Sequence, residues 1–228
     1  LTGLDVSVKA ERKVLEREHG NLAQFVSTLK LARLSVNGEA IATAIPPRLK
    51  LGKAEVALPP GGFLQATALG EETLAQLVRA AVGKAKSVAD LFCGIGPFAL
   101  RLAERARVEA YDSDRAAIAA LAAAVKATPG LKPVTAAARD LFREPLVPNE
   151  MKDFDAVVFD PPRAGAEAQA RQLARSKVKA VVAVSCDVAS FARDAAILVA
   201  GGYALKTVTA VDQFKWSSHV EMVARFTR

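Results

Sequence analysis

The run Ser87-Val88-Ala89-Asp90-Leu91-Phe92-Cys93-Gly94-Ile95-Gly96 passes from a short apolar strand into a glycine turn. Glycine reaches backbone conformations closed to other residues and lets the chain approach a bound ligand. The same rhythm continues downstream. Residues 97–106 read as helix, 108–111 as strand, 115–127 as an Ala-rich helix and 132–137 as strand. Residues 156–159 are apolar on both faces, as a central parallel strand requires. Helix is expected over 166–175, strand over 180–184, and helix over 188–200, ended by Gly201-Gly202. Residues 203–210 and 219–226 supply two final strands, and 71–82 an amphipathic helix upstream. Alternation of this kind predicts an α/β fold with a doubly wound, Rossmann-like sheet, mostly parallel with an antiparallel last strand. Ligands of such sheets bind beyond the C-terminal strand ends.

Residues 1–60 carry a different pattern. Residues 4–8 alternate like a strand, and Leu22, Phe25, Val26 and Leu29 recur at helical spacing. Asn37-Gly38 between two apolar runs predicts a hairpin over 34–44. A short strand over 55–58 leads into Pro59-Pro60-Gly61-Gly62, a hinge. The expected division is a small α+β lobe over 1–60 and the main domain over 61–228. The chain opens at Leu1 and enters a strand at once, which reads as part of a longer protein whose N-terminal portion lies elsewhere.

Half of the residues are hydrophobic, 51%, so a sizeable core can form, yet no apolar stretch approaches a membrane span and no secretion signal is visible. The expected location is the cytoplasm and the expected state a monomer. The only cysteines are Cys93 and Cys186, too few for a disulfide framework, and with His scarce no zinc or iron–sulfur site is visible: metal ligands, none. Lys and Arg number 31 against 24 Asp and Glu, a net charge of +7. That excess suits a polyanionic partner and equally an ordinary solubility charge.

Candidate site residues fall at strand ends. Gly94 and Gly96 close the first strand of the main domain. Ala99 follows where a nicotinamide fingerprint prefers a third glycine, a replacement that fingerprint permits. Asp112 ends the second strand, where a carboxylate can accept from ribose hydroxyls, and Asp140 follows the third, within reach of an adenine amine. Asp160-Pro161-Pro162-Arg163 ends another strand with two fixed φ angles. Methyltransferases of exocyclic amines place an aromatic residue fourth in such a motif. Arg163 argues against an amine target and suits a phosphate or carbonyl. Cys186 precedes a helix, which favours the thiolate, although a lone cysteine is often an inert core residue. Glu221 is expected in the last strand with His219 on the same face; an edge ion pair is the plainer alternative.

Taken with Phe63-Leu64-Gln65, Val184-Ser185-Cys186 and His219-Val220-Glu221, these strings make the chain resemble the S-adenosylmethionine-dependent RNA 5-methyluridine methyltransferases, from about Gly61 to Arg228. The resemblance implies a class I methyltransferase fold and S-adenosylmethionine as cofactor. It implies RNA as partner, ribosomal RNA somewhat ahead of transfer RNA. By resemblance Cys186 is the nucleophile and Glu221 the base. Gln65, Phe92, Asp112, Asp140 and Asp160 would surround the cofactor with Gly94 and Gly96, while Arg163 and His219 would face RNA. Pro97 stands where family members often have Asn. Members commonly carry an N-terminal RNA-binding barrel, and some an iron–sulfur cluster, neither of which this chain has. The competing readings are another RNA methyltransferase on the same fold, an inactive RNA-binding relative, and, more distantly, a nicotinamide dehydrogenase.

Overall fold

The computed structural model of the protein describes residues 3–214 and 216–228. The chain opens with β1 (Asp5–Val8), α1 (Glu16–Thr28), β2 (Arg33–Val36) and β3 (Glu39–Thr43). β1 lies parallel to β2, and β2 and β3 form the expected hairpin. Asn37 and Gly38 turn it with φ of 52° and 84°, the paired positive values that an Asn-Gly turn supplies. Val26, Leu31 and Leu34 make a small core of their own.

A second hairpin follows, β4 (Arg48–Leu51) and β5 (Ala54–Ala57). Its first strand is not evident in the sequence. Residues of this hairpin fall in the stretch read with the small lobe, yet Leu51, Ala54 and Val56 pack into the main core, with β5 against the helix Arg115–Ala127. Arg33 ties the two regions. Its guanidinium, nearly buried, donates to both Asp5 oxygens at 2.8 and 2.6 Å and to Leu58 O at 2.7 Å. A buried cation needs such a set of acceptors to offset its lost hydration.

The remaining elements alternate: α2 (Ala68–Val82), β6 (Ser87–Leu91), α3 (Ala99–Leu102), β7 (Arg107–Asp112), α4 (Arg115–Ala127), β8 (Val134–Ala138), β9 (Ala156–Phe159), α5 (Glu167–Arg175), β10 (Ala180–Ser185), α6 (Val188–Ala200), β11 (Ala204–Val211) and β12 (Glu221–Thr227). Side-chain caps start three of the helices, with Thr67 accepting from Gly70 N–H, Asp114 from Ala116 and Ala117, and Asp187 from Ser190. The strands form one seven-stranded sheet in the order β11-β12-β10-β9-β6-β7-β8. Within it β12 alone runs opposite to the other six strands. This is the doubly wound sheet with a reversed last strand that the sequence predicts.

Alternation along the central strands builds both cores. Val88, Val108, Val158 and Val182 face α2 and α4, while Leu91, Val157, Phe159 and Val181 face the side of Leu173 of α5 and Leu198 of α6. Each such fully buried side chain contributes about 1.5–3 kcal/mol. The chain order runs outward from β6 through β7 to β8, then returns to β9 on β6's other side. A crevice therefore opens beyond the C-terminal ends of β6 and β9, the switch point of the sheet. Among the described residues no helix is long and apolar enough to cross a membrane.

Two expectations need correction. The helix expected over 97–106 is regular only from Ala99 to Leu102, since the chain must return at once to begin β7 at Arg107 beside β6. His219 lies outside the last strand, which begins at Glu221. Its N–H instead donates to Ser217 Oγ at 3.1 Å within the preceding loop.

Candidate active site

At the switch point lies a cavity of about 560 Å³. Gln65, Phe92, Gly94, Asp112, Asp160, Arg163, Cys186 and Glu221 all line it. Sheet register explains how residues so distant in sequence meet. β10 and β12 are antiparallel with Ser185 opposite Met222, so the next step of that register sets Cys186 opposite Glu221. Phe159 of β9 pairs with Leu91 of β6 and Ala183 of β10, so Asp160 emerges between the glycine turn and the cysteine.

One half of the cavity is built around the glycine turn. Phe92 adopts φ of 61°, a left-handed conformation costly for an aromatic residue. Its ring lies 5.3 Å from that of Phe142. Gly94 (φ 52°) donates its N–H to Asp112 Oδ2 at 2.8 Å, and Asp112 Oδ1 accepts from Asp114 N–H at 2.8 Å. Asp112 thus locks the turn to the end of β7. Asp90 is fully buried beneath the turn, and among the described residues no donor reaches either carboxylate oxygen in good hydrogen-bond geometry. Burial, then the charges of Asp160 and Asp112, push its carboxyl well above the usual range, against a partial offset from the Ala99 N–H.

The other half carries the titratable groups Asp160, Cys186 and Glu221. Asp160 is pushed up to about 7, by burial first and by Glu221 second. Glu221 is nearly buried, and burial raises its carboxyl while hydrogen bonding from Gln213 draws it down. Cys186 is a free thiol. Its pKa is raised, by burial and then by Glu221 and Asp160, with its own backbone N–H and Arg163 opposing. The lowered thiol pKa expected from the following helix is therefore not met, because burial first and the two carboxylates second raise it. Arg163 and His219 meet at the exposed rim, where Nη2 lies 2.5 and 2.9 Å from the two ring nitrogens.

Three residues singled out from the sequence stand off the cavity wall. Gly96 is buried with φ of 88°, and a Cβ there would lie 2.5 Å from Leu121 Cδ1, so its smallness lets α4 pack close. Asp140 Oδ1 accepts from Phe142 N–H at 3.0 Å and from Arg143 N–H, which shapes the turn that sets Phe142 into the wall. His219 is the third. Sequence reading passed over Phe142, whose one cue is its place just after Asp140. It also passed over Asp194, a buried residue of α6 whose Oδ2 accepts from Ala166 N–H at 2.6 Å and steadies the Asp-Pro-Pro-Arg loop.

The model of the methyltransferase small domain matches residues 58–184, more than half of the chain, a span that holds most of the cavity wall but not Cys186 or Glu221. The chain belongs to the methyltransferase small domain family. Among curated relatives, this methyltransferase small domain protein is 52% identical over 227 residues to an uncharacterised RNA methyltransferase of Brucella suis biovar 1 (strain 1330). That match covers 100% of this chain and 55% of the relative, so the chain spans about half the length of that curated relative. It is 41% identical over 175 residues to a 23S rRNA (uracil(1939)-C(5))-methyltransferase of Chromohalobacter salexigens, covering 74% of this chain and 35% of that one. Among solved structures it resembles the tRNA (uracil-54, C5)-methyltransferase of Pyrococcus abyssi in complex with S-adenosyl-L-homocysteine. The TM-score is 0.74 and the identity 28%, over 86% of this chain and 50% of the other.

Proposed function

We propose that the protein is an S-adenosylmethionine-dependent RNA methyltransferase that methylates C5 of a uridine, in ribosomal or transfer RNA, through a covalent bond between Cys186 and C6. The observation that carries this reading is that Cys186 and Glu221 line one cavity together with the glycine turn, close enough for the carboxyl to act on the thiol. The cofactor suits the other end. Its sulfonium and ammonium are cations, and the carboxyl groups of Asp112 and Asp160 line the wall. Phe92 and Phe142 offer aromatic faces for an adenine. Gly94 lacks a Cβ where the backbone meets the cavity, and nothing lies within 4 Å of that position.

When bound, S-adenosylmethionine supplies an electrophilic methyl group on a sulfonium. The C5 carbon of uracil is too weak a nucleophile to take it unaided. Cys186 Sγ attacks C6, and the C5–C6 π pair moves onto C5. Burial and its carboxylate neighbours keep Cys186 protonated in the free protein, so the thiol must lose its proton as it attacks. Asp160, with its carboxyl near 7, is matched to accept that proton, and Arg163 favours the thiolate. C5 then takes the methyl group. Glu221 removes the C5 proton, the pair left behind re-forms the double bond, and the Sγ–C6 bond breaks to release Cys186. Arg163 and His219, at the rim, are placed to meet RNA phosphate or base. The target base must leave its stack to enter.

Transfer of labelled methyl groups to RNA transcripts by the full-length protein, followed by nucleoside analysis, tests the reading. Label in 5-methyluridine is expected. Label only in methylated amines, ribose hydroxyls or cytidine would overturn it.

A further inference from the structure

Gln213, in the loop between β11 and β12, takes no part in the chemistry above. Its Nε2 donates to Gln65 Oε1 at 2.7 Å, joining segments 148 residues apart. Its own Oε1 is buried and without a partner among the described residues. The space it fills exists because residue 70, in the first turn of α2, is glycine. A Cβ there would lie 2.2 Å from Gln213 Oε1. The third neighbour is Glu221, whose carboxyl the Gln213 amide draws down against the effect of burial.

These contacts fix one another in order. A carboxylate is an acceptor only, so the amide beside it must turn its N–H and not its C=O toward Glu221. Gln213 has two N–H groups, and with this orientation the other meets Gln65. Gln65 must then answer with its carbonyl oxygen, and its NH₂ is left for the cavity that it lines. Among the described residues Gln213 alone hydrogen bonds the Gln65 side chain. The other ionisable groups near Glu221 are Asp160 and Cys186, with Arg163 beyond them. Glu71 of α2 lines the same cavity, and its carboxylate is engaged by Arg101.

We propose that Gln213 is a positioning residue that ties Gln65 to Glu221 and fixes Gln65 as a hydrogen-bond donor into the cavity. The ligand group that Gln65 meets is then an acceptor oxygen, either a carbonyl of the target base or the carboxylate of the cofactor. The proposal rests on the preceding functional reading only in naming those two sources.

The first test needs no substrate. In ¹⁵N-labelled protein the side-chain NH₂ signals of Gln213 and Gln65 are followed while pH is varied, in wild type and in Glu221→Gln. Both signals should respond to pH in wild type, and neither in Glu221→Gln. Gln213→Leu should abolish the Gln65 response. Gly70→Ala should do the same with every polar group retained, in a helix that Ala favours over Gly. A Gln65 signal that still responds in both variants would overturn the proposal.

The second test separates the two oxygens. Gln65→Ala, Gln213→Leu and the double variant are compared by calorimetry with S-adenosylmethionine and by transfer kinetics. Each single change should cost on the order of tenfold, and the double variant no more than either, as expected of residues acting as one unit. A cofactor carboxylate puts the loss in the calorimetric Kd. A base carbonyl puts it in the KM for RNA and leaves the cofactor Kd unchanged. Additive losses, or no loss in either quantity, would overturn the proposal. Absence of 5-methyluridine alongside an intact Gln65 response would refute the functional reading and leave Gln213 in its role.

Discussion

Asp160→Asn replaces a carboxyl with an amide of nearly the same size and should make the protein more stable at neutral pH. The wild-type carboxyl is pushed up from 3.8 to about 7 by burial and by Glu221. The folded protein therefore holds this proton to a higher pH than the unfolded chain does. From about pH 4 to about pH 7 unfolding releases it, so raising pH favours unfolding, and the cost is constant above that window. At ~1.4 kcal/mol per pH unit the rise sets a ceiling of about 4 kcal/mol. Asp160 also borders the cavity, where water screens its charge, so about 2 kcal/mol is the expected gain. Relief of Asp90, raised partly by Asp160, acts in the same direction. Urea unfolding of both proteins from about pH 4 to about pH 8 measures the effect. The stability curves should converge at the acid end and separate above pH 7. Parallel curves, or a variant less stable than wild type at pH 8, would refute the reasoning.

Three further outcomes follow from the site. Cys186→Ala should abolish methyl transfer and leave cofactor binding intact by calorimetry, whereas Cys93→Ala should retain transfer, because Cys93 sits buried in the glycine turn. Asp112→Ala removes the acceptor of two backbone N–H groups at the cavity wall and should weaken S-adenosylmethionine binding by about 1.5–3 kcal/mol, with NAD not bound by either protein. Gly96→Ala should lower stability to urea by about 1–3 kcal/mol through the close contact with Leu121 and the positive φ; unchanged stability would contradict the packing role.

Elements with strong local signals were legible from sequence. The helices Arg115–Ala127 and Val188–Ala200 follow an Asp whose side chain caps them, and Ala156–Phe159 is a short apolar run bounded by charge and proline. What depends on long-range packing was not. β4 is a four-residue strand that gains its reason only when Leu51 reaches the main core. α2 starts at Ala68 and not at 71, because Thr67 caps a first turn that contains Gly70, a residue local propensity counts against a helix. Gly96 reads as a ligand-facing glycine in the motif, and only the position of Leu121 shows it serving helix packing. Motifs at strand ends identified most of the cavity wall, since topology brings all such ends together. Gln213 left no sequence signal, because its partner Gln65 and its space at Gly70 lie far off in the chain.

The proposed function stands or falls on Cys186 bonding to the target ring and Glu221 later removing its C5 proton. Glu221→Gln keeps the size of the side chain and removes the base, so the reaction should halt after methyl transfer with RNA still attached. Full-length Glu221→Gln protein incubated with substrate RNA and S-adenosylmethionine, then run on a denaturing gel, reports this directly. The account predicts a retarded protein–RNA band that requires the cofactor and vanishes when Cys186 is also changed to Ala. Near-normal turnover by Glu221→Gln with no retarded band, or a band that persists without Cys186, would contradict it.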